Sequence, residues 1–430
     1  MRARDDPIRV ISCKLTIVTE SAAAASAEQL GGDYFQDPHA HFARMRDDGP
    51  VTPVVLPNGG DRVWLVTRHA DVRAALADPR LYKDWAGKLT SPDWVPDAVT
   101  GYLSAHLLNA DPPDHTRLRK LVSKAFTARR VAGLRPRVEA ITADLLDAME
   151  ARFAAGEEAV DLIEAFAFPL PVTVICELLG VPVGDRNKFR EWSHAFVASE
   201  GDPRAFRAAG TAMFYYFTEL VAAKRAQPAD DMVSALVAAW GASERGDSDD
   251  SLNERELIAM LFLLLVAGHE TTTNLIASGA LALLTHPAEL DRLRADPSLL
   301  PGAVEELLRF VNPLNHATDR FTLEPVEIGG VTIPAREWVL CVTSSANLDP
   351  ARFPDAERLD VERDATGHLA FGHGIHYCLG APLARLEGEV AFGALLSRFP
   401  SLSLAAEAST LRWRPSSLIH GLETLPVHLA

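Results

Sequence analysis

Apolar residues recur at every third or fourth position along most of the chain, which is typical of helices that bury one face. This pattern predicts helices over Thr116–Phe126, Val131–Arg152, Ala205–Arg225, Asp230–Trp240, Ala288–Arg294 and Leu383–Leu396. Stretches typical of strands are few and short: Val63–Thr67, Val326–Ile328, Val331–Ile333 and Trp338–Thr343. Gly329–Gly330, between two of them, indicates a two-residue hairpin. The pattern therefore predicts a fold that is mainly α with a small β region.

The longest helical pattern begins at a capping box, Ser251-x-x-Glu254, and ends near His286–Pro287. A helix of ~34 residues extends for ~50 Å at 1.5 Å per residue. Its first half is apolar on nearly all sides, so we expect it to be buried. Its middle, residues 267–273, reads Ala-Gly-His-Glu-Thr-Thr-Thr. Gly and Thr are weak helix formers and a buried carboxylate is costly, so this stretch indicates a functional site.

The composition is that of a folded protein, because 48% of the 430 residues are hydrophobic and 23% are charged. Asp and Glu outnumber Lys and Arg by 58 to 42, which gives a formal net charge of −16 and argues against nucleic-acid binding over the whole surface. The chain has no Gly/Ser linker and no repeat of fixed period. We therefore predict a loose tail over residues 1–30 and a single domain over residues 31–430.

Cysteine usage and hydropathy bear on the cellular compartment. The four cysteines, Cys13, Cys176, Cys341 and Cys378, are too scattered for a disulfide framework. The longest apolar run, Leu257–Ala267, is far shorter than the ~20 residues that span a bilayer. No clean signal peptide follows the basic N-terminus. These features predict a soluble protein of the reducing cytoplasm.

The segment from Phe371 to Gly380 contains one cysteine among three glycines, and a predicted helix follows it. Glycines allow the backbone to approach a ligand closely and offer bare N–H groups. A cysteine just before a helix N-terminus feels the positive end of the helix dipole, which favours the thiolate, a good metal ligand. A buried structural cysteine, or a compact metal site formed by His373, His376 and Cys378, would be the alternatives.

The spacing Phe371-x-x-Gly374-x-His376-x-Cys378-x-Gly380 resembles the haem-binding signature of the cytochrome P450 family. Three further motifs of that family occur in the same order: Asp111-Pro-Pro-Asp-His115-Thr-Arg-Leu-Arg119, Ala267-Gly268-x-Glu270-Thr271, and Glu306-x-x-Arg309 with Arg358 downstream. The resemblance covers residues 33–430 and is closest to soluble actinobacterial members that oxidise polyketides and other secondary metabolites. It implies a triangular helical prism in which the long central helix crosses haem b.

The resemblance also implies roles for individual residues. Cys378 would be the axial iron ligand, and Phe371 would pack near its sulfur. The haem propionates would be bound by His115, Arg119, Arg320 and His376, and further contacts to the cofactor would come from Ala267, Gly268, Gly372 and Gly380. Glu306, Arg309 and Arg358 would form a buried network that supports the loop carrying Cys378. Taken alone, the Glu306–Arg309 spacing also fits an ordinary surface ion pair.

Glu270 and Thr271 are candidates for proton delivery, because oxygen activation requires a donor in the haem pocket and a relay from solvent. The alternative is a threonine that bonds back to its own helix and a solvated glutamate. His269-Glu270 does not begin a zinc-protease H-E-x-x-H motif, because position 273 is Thr273. By analogy with the family, the substrate pocket would be formed by Trp85, Leu107, Leu263, Val266, Leu314, Asn315, Leu418 and Ile419.

A basic run over residues 116–130 contains no acidic residue, which is a local reversal in an acidic chain. Arg117, Lys120 and Lys124 share one helical face and form either a solvated face or a docking patch for an acidic iron–sulfur protein. The resemblance favours docking and implies a monomeric haem-thiolate monooxygenase that takes electrons from NAD(P)H through a reductase and a ferredoxin. A non-catalytic haem sensor or carrier, or a peroxide-driven oxygenase, would be the alternatives.

Overall fold

A computed structural model describes residues 27–57, 62–84, 102–186, 188–189, 191–192, 203–244 and 251–429. Helices account for most of this part of the chain. They are α1 (Pro38–Asp48), α2 (His69–Ala77), α3 (Asp114–Ala125), α4 (Ala128–Gly133), α5 (Arg135–Ala154), α6 (Pro169–Leu179), α7 (Pro203–Ala226), α8 (Met232–Glu244), α9 (Glu254–Thr285), α10 (Pro287–Ala295), α11 (Leu300–Val311), α12 (Thr343–Asn347) and α13 (Ala381–Arg398).

The predicted helices are present, with ends that differ by a few residues. One prediction, Val131–Arg152, is divided in the structure into α4 and α5, with Leu134 between them. Gly133 ends the first helix, and Pro136 stands in the first turn of the second, where its missing N–H would have no partner in any case. Hydrophobic periodicity continues across such a break and therefore does not reveal it.

The long helix α9 begins two residues later than the predicted capping box. Asn253 is the N-cap: its side chain accepts a hydrogen bond from the Glu256 N–H at 2.8 Å, and its own N–H donates to the Glu256 carboxylate at 3.0 Å. Leu252 and Leu257, on either side of this box, are both fully buried, as expected for a hydrophobic staple. The predicted start at Ser251 is therefore wrong, although the type of cap is confirmed.

Helix α9 is the centre of the main hydrophobic core and packs against α6, α11 and α13. Within the described residues it is the one helix that is long and apolar enough to cross a membrane. However, 61% of its most apolar 18-residue window is buried inside the protein. Its apolar character is therefore that of a core helix.

Within the described ranges the strands form three sheets, of six, three and two strands. They are β1 (Glu28–Gln29), β2 (Val51–Val55), β3 (Arg62–Val66), β4 (Leu81–Tyr82), β5 (Val160–Asp161), β6 (Arg320–Thr322), β7 (Val326–Ile328), β8 (Val331–Ile333), β9 (Trp338–Cys341), β10 (Ser403–Leu404) and β11 (Pro426–His428). The largest sheet has the order β1-β2-β3-β9-β6-β4, and a second has the order β10-β11-β5. The predicted hairpin β7–β8 is confirmed: Gly329 and Gly330 both have positive φ angles, 57° and 80°.

The N-terminal boundary differs from the prediction. Glu28 and Gln29 form β1, which pairs in parallel with Val54 and Val55 of β2, and Leu30 is buried. Strand β1 and Leu30 therefore lie within the stretch that was predicted to be a tail. Residues 1–26, which include Cys13, lie outside the described residues.

Candidate active site

A mostly apolar cavity lies between helix α9 and the loop that carries Cys378. On the α9 side it is lined by Met260, Leu263, Leu264, Ala267, Gly268, Thr271, Thr272 and Leu275. On the opposite side it is lined by Phe371, Gly372, His373, His376, Cys378, Leu379 and Gly380. Arg119 and Arg320 also line this cavity. The structure thus brings together the two segments that the sequence singled out.

The glycines of the cysteine loop have a steric function. Gly372 and Gly374 have φ angles of 71° and 75°, in the left-handed region that favours glycine. A Cβ atom at Gly374 would also lie 3.0 Å from the carbonyl oxygen of Leu76. The loop closes with a hydrogen bond from the Cys378 N–H to the Phe371 carbonyl at 2.9 Å, and α13 begins three residues after Cys378.

Cys378 lines the cavity and is not part of a disulfide. Burial raises its pKa, while the N–H groups of Gly380 and Ala381 and the positive charge of Arg119 oppose that increase. The helix N-terminus therefore acts in the predicted direction, but desolvation has the larger effect on the pKa of the thiol when no metal is bound. A coordinating metal ion would remove the thiol proton outright.

Polar atoms without partners surround one side of the cavity. His115 Nε2, His376 Nε2 and Arg320 Nε are buried and have no hydrogen-bond partner within the described part of the chain. The two imidazole rings lie 4.3 Å apart between centroids. Burial, together with the charges of Lys83, Arg320 and Arg119, lowers the pKa of His376 to about 2. Such a concentration of donors and cations calls for an anionic ligand.

These features fit haem b. The free thiol can serve as the axial ligand of the iron, and the apolar side chains can enclose the macrocycle. The unpartnered polar groups can donate hydrogen bonds to the two propionates. The alternative of a compact metal site formed by His373, His376 and Cys378 is not supported, because no group of three His, Cys, Asp or Glu side chains in the described ranges could hold a metal ion.

The pair of Glu306 and Arg309 on α11 is fully buried rather than a surface ion pair. Arg309 donates from Nε and Nη2 to the two carboxylate oxygens at 2.6 and 2.7 Å. Its Nη1 also donates to the carbonyls of Asn347 and Ala356, at 2.9 and 2.8 Å. The pair thereby fixes the irregular segment that leads to the cysteine loop.

The third member of this network is Arg363, not the predicted Arg358. Arg363 Nε donates to Glu306 Oε1 at 3.2 Å. The Arg358 side chain is 58% exposed and lies 3.5 Å from Asp360, so its guanidinium does not reach Glu306. Arg358 contributes only its backbone carbonyl, which accepts from Arg309 at 3.4 Å. The predicted role of the Arg358 side chain is wrong.

Glu270 is buried and is not among the residues that line the cavity. It accepts a hydrogen bond from Arg414 Nη1 at 2.6 Å and lies 3.8 Å from the Nε2 atom of His269. Asn274 donates to its backbone carbonyl at 2.8 Å. The Arg414 side chain is 19% exposed, so the carboxylate reaches solvent through an ion pair with a residue far along the chain. Sequence reasoning missed Arg414, since the two residues are 144 positions apart.

Thr271 lines the cavity, and its hydroxyl donates to the Ala267 carbonyl one turn earlier on α9 at 3.0 Å. This is the back-bonding that was considered as the alternative. It leaves the oxygen lone pairs of the hydroxyl free to accept a hydrogen bond from the cavity.

The predicted pocket residues fall into three groups. Leu107, Leu263 and Leu314 line the cavity. Trp85 lies outside the described residues. The remaining four are described but are not among the residues that line this cavity: Val266, Asn315, Leu418 and Ile419. Asn315 is instead buried and donates from its side chain to the Ser417 carbonyl at 3.2 Å, while Leu314 and Ile419 form an isolated β-bridge.

The basic face of α3 differs in part from the prediction. Arg117 donates to both carboxylate oxygens of Glu256, at 2.5 and 3.0 Å, and to Asp114 at 3.0 Å. It therefore ties α3 to the first turn of α9, and its charge is already paired within the protein. Lys120 and Lys124 are exposed.

The chain was compared with known proteins. The family model for cytochrome P450 matches residues 195–408. Cytochrome P450 107B1 of Saccharopolyspora erythraea is 52% identical over 405 residues, which are 92% of this chain and 95% of that protein. The cytochrome P450 monooxygenase PikC of Streptomyces venezuelae is 49% identical over 95% of each chain.

Solved structures agree with this result. The tirandamycin C-bound P450 monooxygenase TamI superposes with a TM-score of 0.84 at 48% identity, over 94% of this chain and all of that one. The Bacillus subtilis P450 PksS also superposes with a TM-score of 0.84, at 40% identity and over 93% and 98% of the two chains. On this evidence of sequence, fold and cavity, the chain belongs to the cytochrome P450 family.

Proposed function

We propose that this P450 monooxygenase inserts one atom of O2 into a C–H or C=C bond of a mostly apolar polyketide or macrolide. The proposal rests mainly on the leucine side chains with which α9 lines the cavity opposite the cysteine loop, because an apolar cavity favours an apolar ligand. Relatives support the class of substrate. They include a 6-deoxyerythronolide B hydroxylase of S. erythraea (45% identity) and a mycinamicin IV hydroxylase/epoxidase of Micromonospora griseorubida (44% identity).

In this proposal haem b supplies the redox chemistry of oxygen activation, which the thiolate favours by donating electron density to iron. Cys378 would hold the iron, and Phe371 would cover the sulfur. The propionates would be bound by His115, Arg119, Arg320 and His376. Glycines 372 and 380 would let the loop approach the macrocycle, and Ala267 and Gly268 would do the same on α9.

The side chains of α9 would control protons in the cavity. The Thr271 hydroxyl donates to Ala267, so its oxygen can accept a hydrogen bond and orient a water molecule in the cavity. Glu270 would receive protons on the side where Arg414 reaches solvent and pass them into the cavity by leaving its ion pair. Glu270 therefore acts earlier in the relay than Thr271.

Replacing Thr271 with Ala tests this assignment. Without the hydroxyl, water in the cavity loses its fixed orientation, and we expect continued NAD(P)H consumption with less product and more hydrogen peroxide. Glu270→Gln should slow turnover as a whole, because general acid function typically contributes 10²–10⁴-fold. The measurement is the ratio of product to NAD(P)H consumed, together with the rate, in a surrogate ferredoxin system with a macrolide panel.

Thr285→Ala is a matched control, because the Thr285 hydroxyl makes the same bond to the preceding turn of α9, to the Leu281 carbonyl at 2.8 Å, and does not line the cavity. It should leave the coupling, that is, the ratio of product to NAD(P)H consumed, unchanged. Unchanged coupling and rate in both Thr271→Ala and Glu270→Gln would contradict the relay. Absence of any product from the wild-type enzyme across the panel would contradict the substrate class.

We infer further that a ferredoxin, reduced by an NAD(P)H-dependent reductase, docks on the cysteine-loop side of a cytoplasmic, monomeric enzyme. Lys120 and Lys124 are exposed on α3, a helix that meets the cysteine loop where His115 packs against His376. Ile375 and Tyr377 of that loop are 51% and 39% exposed. Exposed cations and exposed apolar side chains together suit an acidic protein partner, which the cations would steer and the apolar groups would hold.

Reversing Lys120 and Lys124 to Glu should slow the first electron transfer from ferredoxin at low salt, and less so at high salt, where screening already weakens the attraction. Substrate binding should not change. Arg117→Gln should chiefly lower stability, because Arg117 is paired with Glu256. An unaltered first-electron rate in the double Lys variant at low salt would refute this docking surface.

A further inference from the structure

Arg385, on the second turn of α13, is held by a carboxylate on the neighbouring helix α11. Its Nε and Nη2 atoms donate to the two oxygens of Glu305 at 2.6 and 2.9 Å, in a bidentate pair. His368 Nε2 lies 3.2 Å from the same carboxylate, and its Nδ1 accepts from the Ala370 N–H at 3.2 Å. The Nδ1 contact makes Nε2 the protonated nitrogen, so His368 donates to Glu305.

The carboxylate remains ionised over the working pH range. Burial alone would raise the pKa of Glu305, but hydrogen bonds from Arg385 and His368 outweigh it and lower the pKa to about 2. The planar guanidinium of Arg385 is therefore fixed in one orientation by a permanent negative partner.

The clamped guanidinium lies over the ring of Phe371. Its Cζ atom is 4.6 Å from the ring centroid, within the range of a cation–π interaction. The Phe371 carbonyl in turn accepts the Cys378 N–H at 2.9 Å, so the ring and the cysteine are joined through the loop.

The same guanidinium extends to the protein surface. Its Nη1 atom lies 3.5 Å from the hydroxyl of Tyr377, which is 39% exposed and next to Cys378 in the chain. The Arg385 side chain itself is 33% exposed. Arg385 therefore connects the outer surface of the cysteine loop to the ring of Phe371.

We propose that Arg385 is a positioning residue for the axial thiolate: clamped by Glu305 and His368 over Phe371, it stabilises negative charge at the Cys378 sulfur. The inference rests on the proposed role of Cys378 as the iron ligand. Reduction of the iron adds one negative charge to the site, so a nearby cation favours the reduced state. Loss of Arg385 should therefore make the reduction potential more negative.

The test is a spectroelectrochemical titration of the haem-loaded protein with Arg385→Gln. We expect the equilibrium constant for reduction to fall about threefold, the scale of a partly exposed ion pair. At 59 mV per tenfold change for one electron, this is about 28 mV. Arg385→Lys should show a smaller shift, because lysine keeps the charge but cannot form the planar bidentate pair.

Arg398→Gln is the matched control, since Arg398 lies on the same helix and pairs with Asp147 and Glu150 at the surface. It should leave the potential unchanged. A double-mutant cycle with Phe371→Leu tests whether the charge of Arg385 acts through the Phe371 ring. If it does, the shift in reduction potential caused by Arg385→Gln should be smaller in the Phe371→Leu background. An equal effect in both backgrounds would overturn the role of the ring.

The red-shifted Soret band of the ferrous–carbon monoxide complex separates the two possible failures. If the wild-type protein lacks this band, the assignment of Cys378 as thiolate ligand fails, and this inference fails with it. If the band is present in all variants and Arg385→Gln shifts the potential no more than Arg398→Gln does, the positioning role of Arg385 is overturned while the proposed function stands.

Discussion

Glu387, on α13, is a fully buried carboxyl group, and we predict that replacing it with Gln stabilises the protein at alkaline pH. It is 0% exposed, and neither of its carboxylate oxygens makes a well-formed hydrogen bond within the described residues. Burial raises the pKa of Glu387 to about 8, against a smaller opposite effect of the Thr272 hydroxyl. The folded protein therefore holds this carboxyl neutral at pH 7.

The sign and size of this effect of Glu387 on stability follow from the linkage between protonation and folding. Below pH 4.5, the unperturbed pKa, the group is neutral in both states and contributes nothing. As the pH rises above 4.5 the unfolded chain ionises first, so stability falls until the pH reaches about 8. At 1.36 kcal/mol per pH unit, the difference between the two pKa values corresponds to a loss of about 5 kcal/mol by pH 8.

The assay is urea unfolding of the haem-loaded protein between pH 5 and 8.5, followed by far-UV circular dichroism. Glu387→Gln should lie close to the wild type at pH 5 and become progressively more stable as the pH rises, by up to about 5 kcal/mol. The control is Glu389→Gln on the same helix, which removes an ion pair with Arg135 at 2.6 Å that is worth under about 1 kcal/mol. Parallel pH profiles for Glu387→Gln and the wild type would refute the reasoning.

Two further predictions concern stability. Arg309→Met should cost about 3–5 kcal/mol, because it leaves the Glu306 carboxylate buried with a weaker partner, and a loss below about 1 kcal/mol in urea unfolding would contradict a buried network. Burial, reinforced by the neighbouring His39, lowers the pKa of His420 well below its usual value. The folded state therefore favours neutral His420. The contribution of His420 to the free energy of unfolding should be complete above about pH 6.5 and should be lost as the pH falls below that value. His420→Asn should lose less stability than the wild type between pH 6.5 and 4.5, and an equal loss would contradict this.

The helical part of the fold was predictable because long amphipathic stretches carry a strong periodic signal. The cap of α9 shows the limit of such reasoning. Ser251-x-x-Glu254 and Asn253-x-x-Glu256 are overlapping candidates that the local rule cannot rank. Burial of Leu252 favours the second, and that burial depends on the rest of the core. Strands of two or three residues, such as β1 and β10, are too short to show any period.

In the candidate site, sequence motifs located the cysteine loop and the middle of α9 but not their distant partners. Arg358 and Arg363 lie on the same irregular segment, where no period indicates which guanidinium turns toward Glu306. The pairing of Glu270 with Arg414 is likewise a long-range contact that arises only once the C-terminal segment has packed against α9. These are tertiary contacts, and local spacing carries no information about them.

The central claim is that Cys378 is the thiolate ligand of a haem monooxygenase, and the spectrum of the ferrous–carbon monoxide complex tests it most directly. The wild type and Cys341→Ser, whose substitution lies in a buried strand, should both show the red-shifted Soret band of thiolate ligation. Cys378→Ser should lose that band, because serine cannot supply a sulfur ligand. Retention of the band in Cys378→Ser, together with its loss in Cys341→Ser, would contradict the account.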